Sequence, residues 1–200
     1  MQMLINSQWV DASDGQRIEV RNPANGELID TAPKGTLDDV RRAVEAAQEG
    51  KRRMGRLPAH ERATILFRVA DALEKNEHAL GELLARENGK PVQQTRAEVA
   101  VTARIFRGFG EEAKRMFGRV VPMDAVPGQE RHLAMTIRQP VGVVAAIVPF
   151  NYPVELYAHK AAAALAAGCK AKEPQDASPL ADPSKGVKTG GTLESTPKAE

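Results

Sequence analysis

The most constraining stretch of this chain is residues 140–148, Pro-Val-Gly-Val-Val-Ala-Ala-Ile-Val, which is apolar nearly throughout and rich in β-branched side chains. A strand with one wet face would alternate, so this run predicts a strand covered on both faces, as in a parallel sheet. Pro149-Phe150-Asn151-Tyr152-Pro153 then turns the chain. Pro153 suits a first helical position, and Leu156, His159, Lys160, Ala163, Ala164 and Ala167 lie on a helix ending at Gly168. A strand followed by a helix is the opening of a βαβ unit, whose second strand must come immediately afterwards. The chain offers Lys-Ala-Lys-Glu at 170–173, too polar for a buried strand, and apolar residues become scarce from Pro174 onward. Residues 170–200 read as a disordered tail.

Upstream, residues 3–10 read as one short strand, followed by turn chemistry at Ser13-Asp14-Gly15. Residues 17–20 and 27–30 read as strands flanking the turn 22–26, giving a two- or three-stranded antiparallel element. Four helices are expected next. The first has Thr36 as N-cap, Asp39 three residues on, and Gly50 as its end. The second opens at Pro58 with Leu66, Val69, Ala70 and Leu73 on one face, and the third carries Leu80, Leu83 and Leu84 and stops at Asn88-Gly89. The fourth runs over 93–117, with Val99, Ala103, Phe106, Phe109, Ala113, Met116 and Phe117 as a core-facing stripe. Gly108 and Gly110 fall inside this helix and follow no strand, so they are not a phosphate-binding glycine loop. Residues 132–138 alternate as a strand with one wet face.

A formal net charge of +2 gives no field for nucleic acid or a membrane surface, and acidic residues interrupt the basic residues of 104–119. No apolar run is long enough to span a bilayer, and residues 1–9 show no secretory signal. Cys169 is the only cysteine, so no internal disulfide forms; a reducing, cytoplasmic setting is expected.

The run 140–153, with its helix closing on Ala-Ala-Gly168, closely resembles the aldehyde dehydrogenase superfamily. Glu87-Asn88-Gly89-Lys90-Pro91, Leu57-Pro58 with Glu61-Arg62, and Asn22-Pro23 before Gly26 resemble it as well, so the likeness covers residues 3–169. It implies an α/β chain, with an amino-terminal β-hairpin and helices leading into an incomplete Rossmann-like parallel sheet. Residues 1–169 would be the amino-terminal part of a nucleotide-binding domain, with 132–138 as its oligomerisation strand. Enzymes of this family use NAD or NADP. A cysteine thiolate attacks the aldehyde, an asparagine amide and a backbone N–H hold the oxyanion, and a glutamate-activated water releases the acid. By resemblance Asn151 is that asparagine, although a turn between two prolines also suits asparagine for local reasons. Ile147, Val148, Pro149 and Phe150 would line the cofactor cleft at the carboxyl end of the strand, with Phe150 where a tryptophan often stands. Lys172 is the nearest candidate for the lysine that contacts the adenosine ribose or 2′-phosphate, against the alternative of an exposed tail lysine. NAD versus NADP stays open.

Neither the family's Gly-Gln-x-Cys nucleophile segment nor its Glu-Leu-Gly-Gly base segment occurs in these 200 residues. Cys169, next to a helix-ending glycine, is expected to be a small buried residue rather than the nucleophile. Val143, Val144, Ile147 and Val148 want covering neighbours worth ~1.5–3 kcal/mol each, or roughly 6–12 together, so the chain from residue 140 is expected to be marginal. Two readings follow. The chain is the amino-terminal part of an NAD(P)-dependent aldehyde dehydrogenase whose reading is truncated or disrupted near codon 170, inactive alone. Alternatively, it is a non-catalytic relative that assembles with itself or with full-length members of the family. A nucleic-acid binder built on the 104–119 helix is disfavoured by the charge balance.

Overall fold

The structure is a computed structural model and describes residues 1–171. Residues 3–10 form a hairpin rather than one strand: β1 (Met3–Ile5) pairs antiparallel with β2 (Gln8–Val10). Asn6 and Ser7 both take positive φ, 51° and 63°, the left-handed pair that a two-residue hairpin turn needs. Period-two alternation alone does not reveal such a reversal. β3 (Arg17–Arg21) and β4 (Leu28–Pro33) form a second, separate hairpin.

α1 (Leu37–Arg56) begins at the expected capping box: Thr36 and Asp39 each receive the other's backbone N–H. It runs through Gly50, where a stop was expected, to Arg56. Good helix formers follow Gly50, and the real terminator is Leu57, held extended by Pro58 behind it. α2 (Ala59–Lys75) and α3 (Glu77–Asn88) follow, and α3 stops at Gly89 with φ 81°. α4 (Val92–Ala113) ends four residues short of the expected boundary. Phe117 is exposed, so the apolar stripe loses its cover after Ala113.

α4 is the central element and packs against α2, α3 and α5 (Pro153–Ala166). The core joins Ala63, Leu66 and Ala70 of α2, Ala103, Phe106 and Ala113 of α4, and Ala158, Ala162 and Ala166 of α5. Alanine dominates where α5 meets α4, which lets the two backbones approach closely. α5 ends in a Schellman motif: Cys169 N–H donates to Ala164 O at 2.8 Å and Gly168 N–H to Leu165 O at 3.0 Å, with Gly168 at φ 79°. The same end is clamped from outside, because Arg62 Nε donates to Ala166 O at 2.9 Å while its Nη1 donates to Leu57 O at 2.6 Å. Cys169 is buried, as expected.

Of the expected strand 132–138, three residues pair: β6 (Ala134–Thr136) lies antiparallel to β5 (Arg119–Val121), a partner the sequence pattern did not signal. β7 is only Val143–Val144, and it pairs in parallel with β8 (Lys170–Ala171). The first two residues of the expected tail therefore supply the second parallel strand. Its backbone satisfies the ladder despite the polar composition that argued against it. Cover over β7 is uneven: Val143, Val144 and Val148 are half-buried, whereas Ile147 is 68% exposed.

Candidate active-site corner

The segment between β7 and α5 carries the residues singled out in the sequence, and two upstream elements fix its shape. Asn88, the last residue of α3, donates from Nδ2 to Phe150 O at 2.8 Å. Lys90 donates from Nζ to Asn151 O at 2.9 Å. The Gly89-Lys90-Pro91 turn is thus the support beneath the loop. Gly89 packs so tightly that a Cβ there would stand 2.8 Å from Pro23 Cγ, which brings the Asn22-Pro23 segment into the same corner.

The start of α5 has no side-chain cap of its own. A helix leaves its first N–H groups without intrahelical partners, and each needs one when buried. Pro153 has no N–H, Leu156 N–H reaches Tyr152 O at 3.0 Å, and the remaining two go to Glu98 of α4. Glu98 Oε1 accepts from Val154 N at 3.0 Å and from Glu155 N at 3.3 Å. Glu98 Oε2 accepts from Lys90 Nζ in an ion pair, with the Glu98 side chain 0% and the Lys90 side chain 15% exposed. The Lys90 ammonium also lies 4.0 Å from the centre of the Tyr152 ring. Its three donors therefore meet a carboxylate, a carbonyl and an aromatic face.

Glu98 was not anticipated. The available signal was an acid on the apolar face of α4, in line with Val99 and one turn from Thr95 and Thr102, all of them buried. A charge at such a position needs partners: the ammonium comes from Lys90, eight residues upstream, but the two N–H donors come from 56 and 57 residues downstream, beyond what spacing can reveal.

Held this way at its carbonyls, the loop leaves the Asn151 side chain exposed and free of hydrogen bonds among the described residues. Ile147, Pro149 and Phe150 are exposed and Val148 half-buried, all at the carboxyl end of β7. These expected site residues are consecutive in the loop that follows β7. Lys172 lies outside the described residues. No group of side chains able to hold a metal occurs among the described residues, and no helix among them is long and apolar enough to cross a membrane. Several basic residues of 104–119 are paired: Arg107 bonds Asp71 at 2.8 Å and Glu74 at 2.5 Å on α2, and Lys114 bonds Glu111 at 2.7 Å.

A parallel strand pair joined by a crossover helix, packed with four further helices, makes this an α/β fold. Residues 9–181 match the aldehyde dehydrogenase family, so the chain belongs to that family and its likeness extends past residue 169. It is 43% identical over 169 residues to glutarate-semialdehyde dehydrogenase of Pseudomonas aeruginosa, covering 84% of this chain and 34% of the relative. It is 39% identical over the same length to the NADP(+) succinate-semialdehyde dehydrogenase of Escherichia coli, again 84% and 34%. Among solved structures, the NADP-dependent glyceraldehyde-3-phosphate dehydrogenase of Bacillus halodurans aligns with TM-score 0.82 and 36% identity, covering 85% of this chain and 36% of that one. The NAD-dependent aldehyde dehydrogenase of Sinorhizobium meliloti aligns with TM-score 0.80 and 31% identity, covering 85% and 34%. The chain thus spans about a third of the length of these relatives, at their amino-terminal end.

Proposed function

We propose that this chain supplies the cofactor-facing corner and the oxyanion-binding asparagine of an NAD(P)-dependent aldehyde dehydrogenase, and that alone it oxidises no aldehyde. The observation that carries the proposal is the loop 150–152, whose carbonyls are tied down while the Asn151 amide is left exposed. An amide donor that does not titrate, on a backbone hydrogen-bonded at Phe150 O and Asn151 O, suits an oxygen on which negative charge develops. Ile147 and Phe150, 68% and 69% exposed, offer an apolar surface beside it that a flat nicotinamide or adenine ring would cover. Ile147, Val148, Pro149 and Phe150 would hold the dinucleotide, which when bound accepts the hydride; Lys172, outside the described residues, is the nearest candidate for its adenosine side, against the alternative of an exposed lysine. NAD and NADP relatives are equally compatible with this corner. Cys169 is not assigned as the nucleophile: it is buried directly after Gly168, the left-handed residue that ends α5. A cytoplasmic setting accords with this single buried thiol.

Joining residues 1–169 to the remaining two thirds of the Pseudomonas aeruginosa relative tests the assignment. The hybrid should reduce NAD(P) with glutarate semialdehyde, and Asn151→Ala within it should lower kcat by roughly 10²–10³-fold. Turnover by the 200-residue chain alone, or an unchanged kcat for the variant hybrid, would refute the proposal.

A second reading is favoured by the β5–β6 hairpin, where Val120, Leu133, Met135 and Ile137 are 63–76% exposed. Such a surface suits assembly with a second copy or with a full-length relative. Co-purification with an intact relative, abolished by Met135→Lys, is expected; retention of the complex by that variant counts against this surface.

A further inference from the structure

We propose that Lys90 and Glu98 are positioning residues for Asn151, acting as one part-buried ion pair that grips the main chain at the asparagine's own carbonyl and just downstream of it. This deepens the reading of Asn151 as an oxyanion donor and rests on it. Glu98 holds the downstream side through the N–H groups of Val154 and Glu155, and Lys90 holds the asparagine's own carbonyl. Asn88 adds a third tie at Phe150 O. An amide can stabilise an oxyanion only if its position is set before charge develops, and a side chain hydrogen-bonded for support would lose a donor. Here the support falls entirely on the backbone. The pair also shares its bonds economically: one carboxylate oxygen serves α5, and the other serves Lys90 alone.

That division of labour makes Glu98→Gln informative. The amide oxygen can still accept from Val154 and Glu155, but the neutral group no longer anchors the ammonium. Lys90→Met removes the hold on Asn151 O directly and leaves the carboxylate in place.

The test uses the 200-residue chain, ¹⁵N-labelled, with relaxation and amide exchange read residue by residue. In both variants the backbone order parameter at Asn151 should fall from about 0.85 towards 0.6 or below. Exchange at Val154 and Glu155 should stay within about threefold of wild type in Glu98→Gln, because the acceptor survives. In Lys90→Met it should rise roughly tenfold, as expected when a carboxylate loses its charged partner. Amides of Leu66 and Ala103, in the core, should change by less than about threefold in either variant. Unchanged order at Asn151 overturns the proposal. Core and loop losing protection together also overturns it, since the pair would then be an ordinary stabilising contact. If Glu98→Gln does not fold, Lys90→Met decides alone; if neither folds, the pair is structural and the proposal fails. None of these readouts involves the chemistry of the Asn151 amide, so failure of the oxyanion assignment would appear only in the hybrid enzyme's kcat.

Discussion

Gly108 and Gly110 are two positions apart on α4 and therefore point to nearly opposite sides of the helix, about 200° apart. Alanine at either site recovers helix propensity, ~0.8–1.0 kcal/mol relative to glycine. At Gly108 a Cβ meets nothing within 4 Å, so the whole gain should appear as stability. At Gly110 it would stand 2.5, 2.9 and 3.2 Å from Cε1, Cδ1 and Cζ of Phe67, an entire ring edge of α2. Moving that ring in the α2–α4 contact carries an overpacking cost of ~1–3 kcal/mol. Gly110→Ala should therefore lie between neutral and about 2 kcal/mol destabilised, leaving a gap of roughly 1–3 kcal/mol between the two variants. At ~2–4 °C per kcal/mol for a domain of this size, the melting midpoints should differ by about 2–12 °C. Thermal unfolding followed by far-ultraviolet circular dichroism measures this directly. A Gly110→Ala midpoint equal to or above that of Gly108→Ala would refute the reasoning. Phe67→Ala supplies the control, because in that background the gap should shrink towards zero.

Leu66 is fully buried where α2, α4 and α5 meet, so Leu66→Ala should cost about 3–5 kcal/mol in denaturant titration; less than about 1 would mean the helices repack freely. The Thr36 and Ser13 N–H groups and the Arg42 guanidinium hold the Asp39 carboxyl well below the usual carboxylate range, tying the turn after β2 to the start of α1. A folded-state value below the unfolded one contributes stability that is complete above the unfolded value, near 3.9. It is lost as pH falls from there through the depressed folded value. The melting-point gap between wild type and Asp39→Asn should therefore narrow as acid is added below about pH 4. A gap that stays constant down to about pH 2 contradicts the assignment.

Local chemistry made much of this protein legible without coordinates. The Thr36–Asp39 box, the Gly89 and Gly168 stops, the strand-turn-helix order of 140–168 and the burial of Cys169 all depend on neighbours within a few residues. The motif at 149–153 likewise marked its own place in the family. The failures are of two kinds: local signals that the hydrophobic pattern outweighed, and partners distant in sequence. Pro58, not Gly50, ends α1; Asn6 and Ser7 fold one apparent strand into two. The polar backbone of Lys170 and Ala171 joins a parallel ladder because hydrogen bonding there is indifferent to side-chain polarity. Asn151 is where these two kinds of determination meet. Its identity and its turn were readable from the chain. The hydrogen bonds around it were not, since Asn88, Lys90 and Glu98 arrive from 53–63 positions upstream to bond carbonyls and N–H groups that carry no sequence signature.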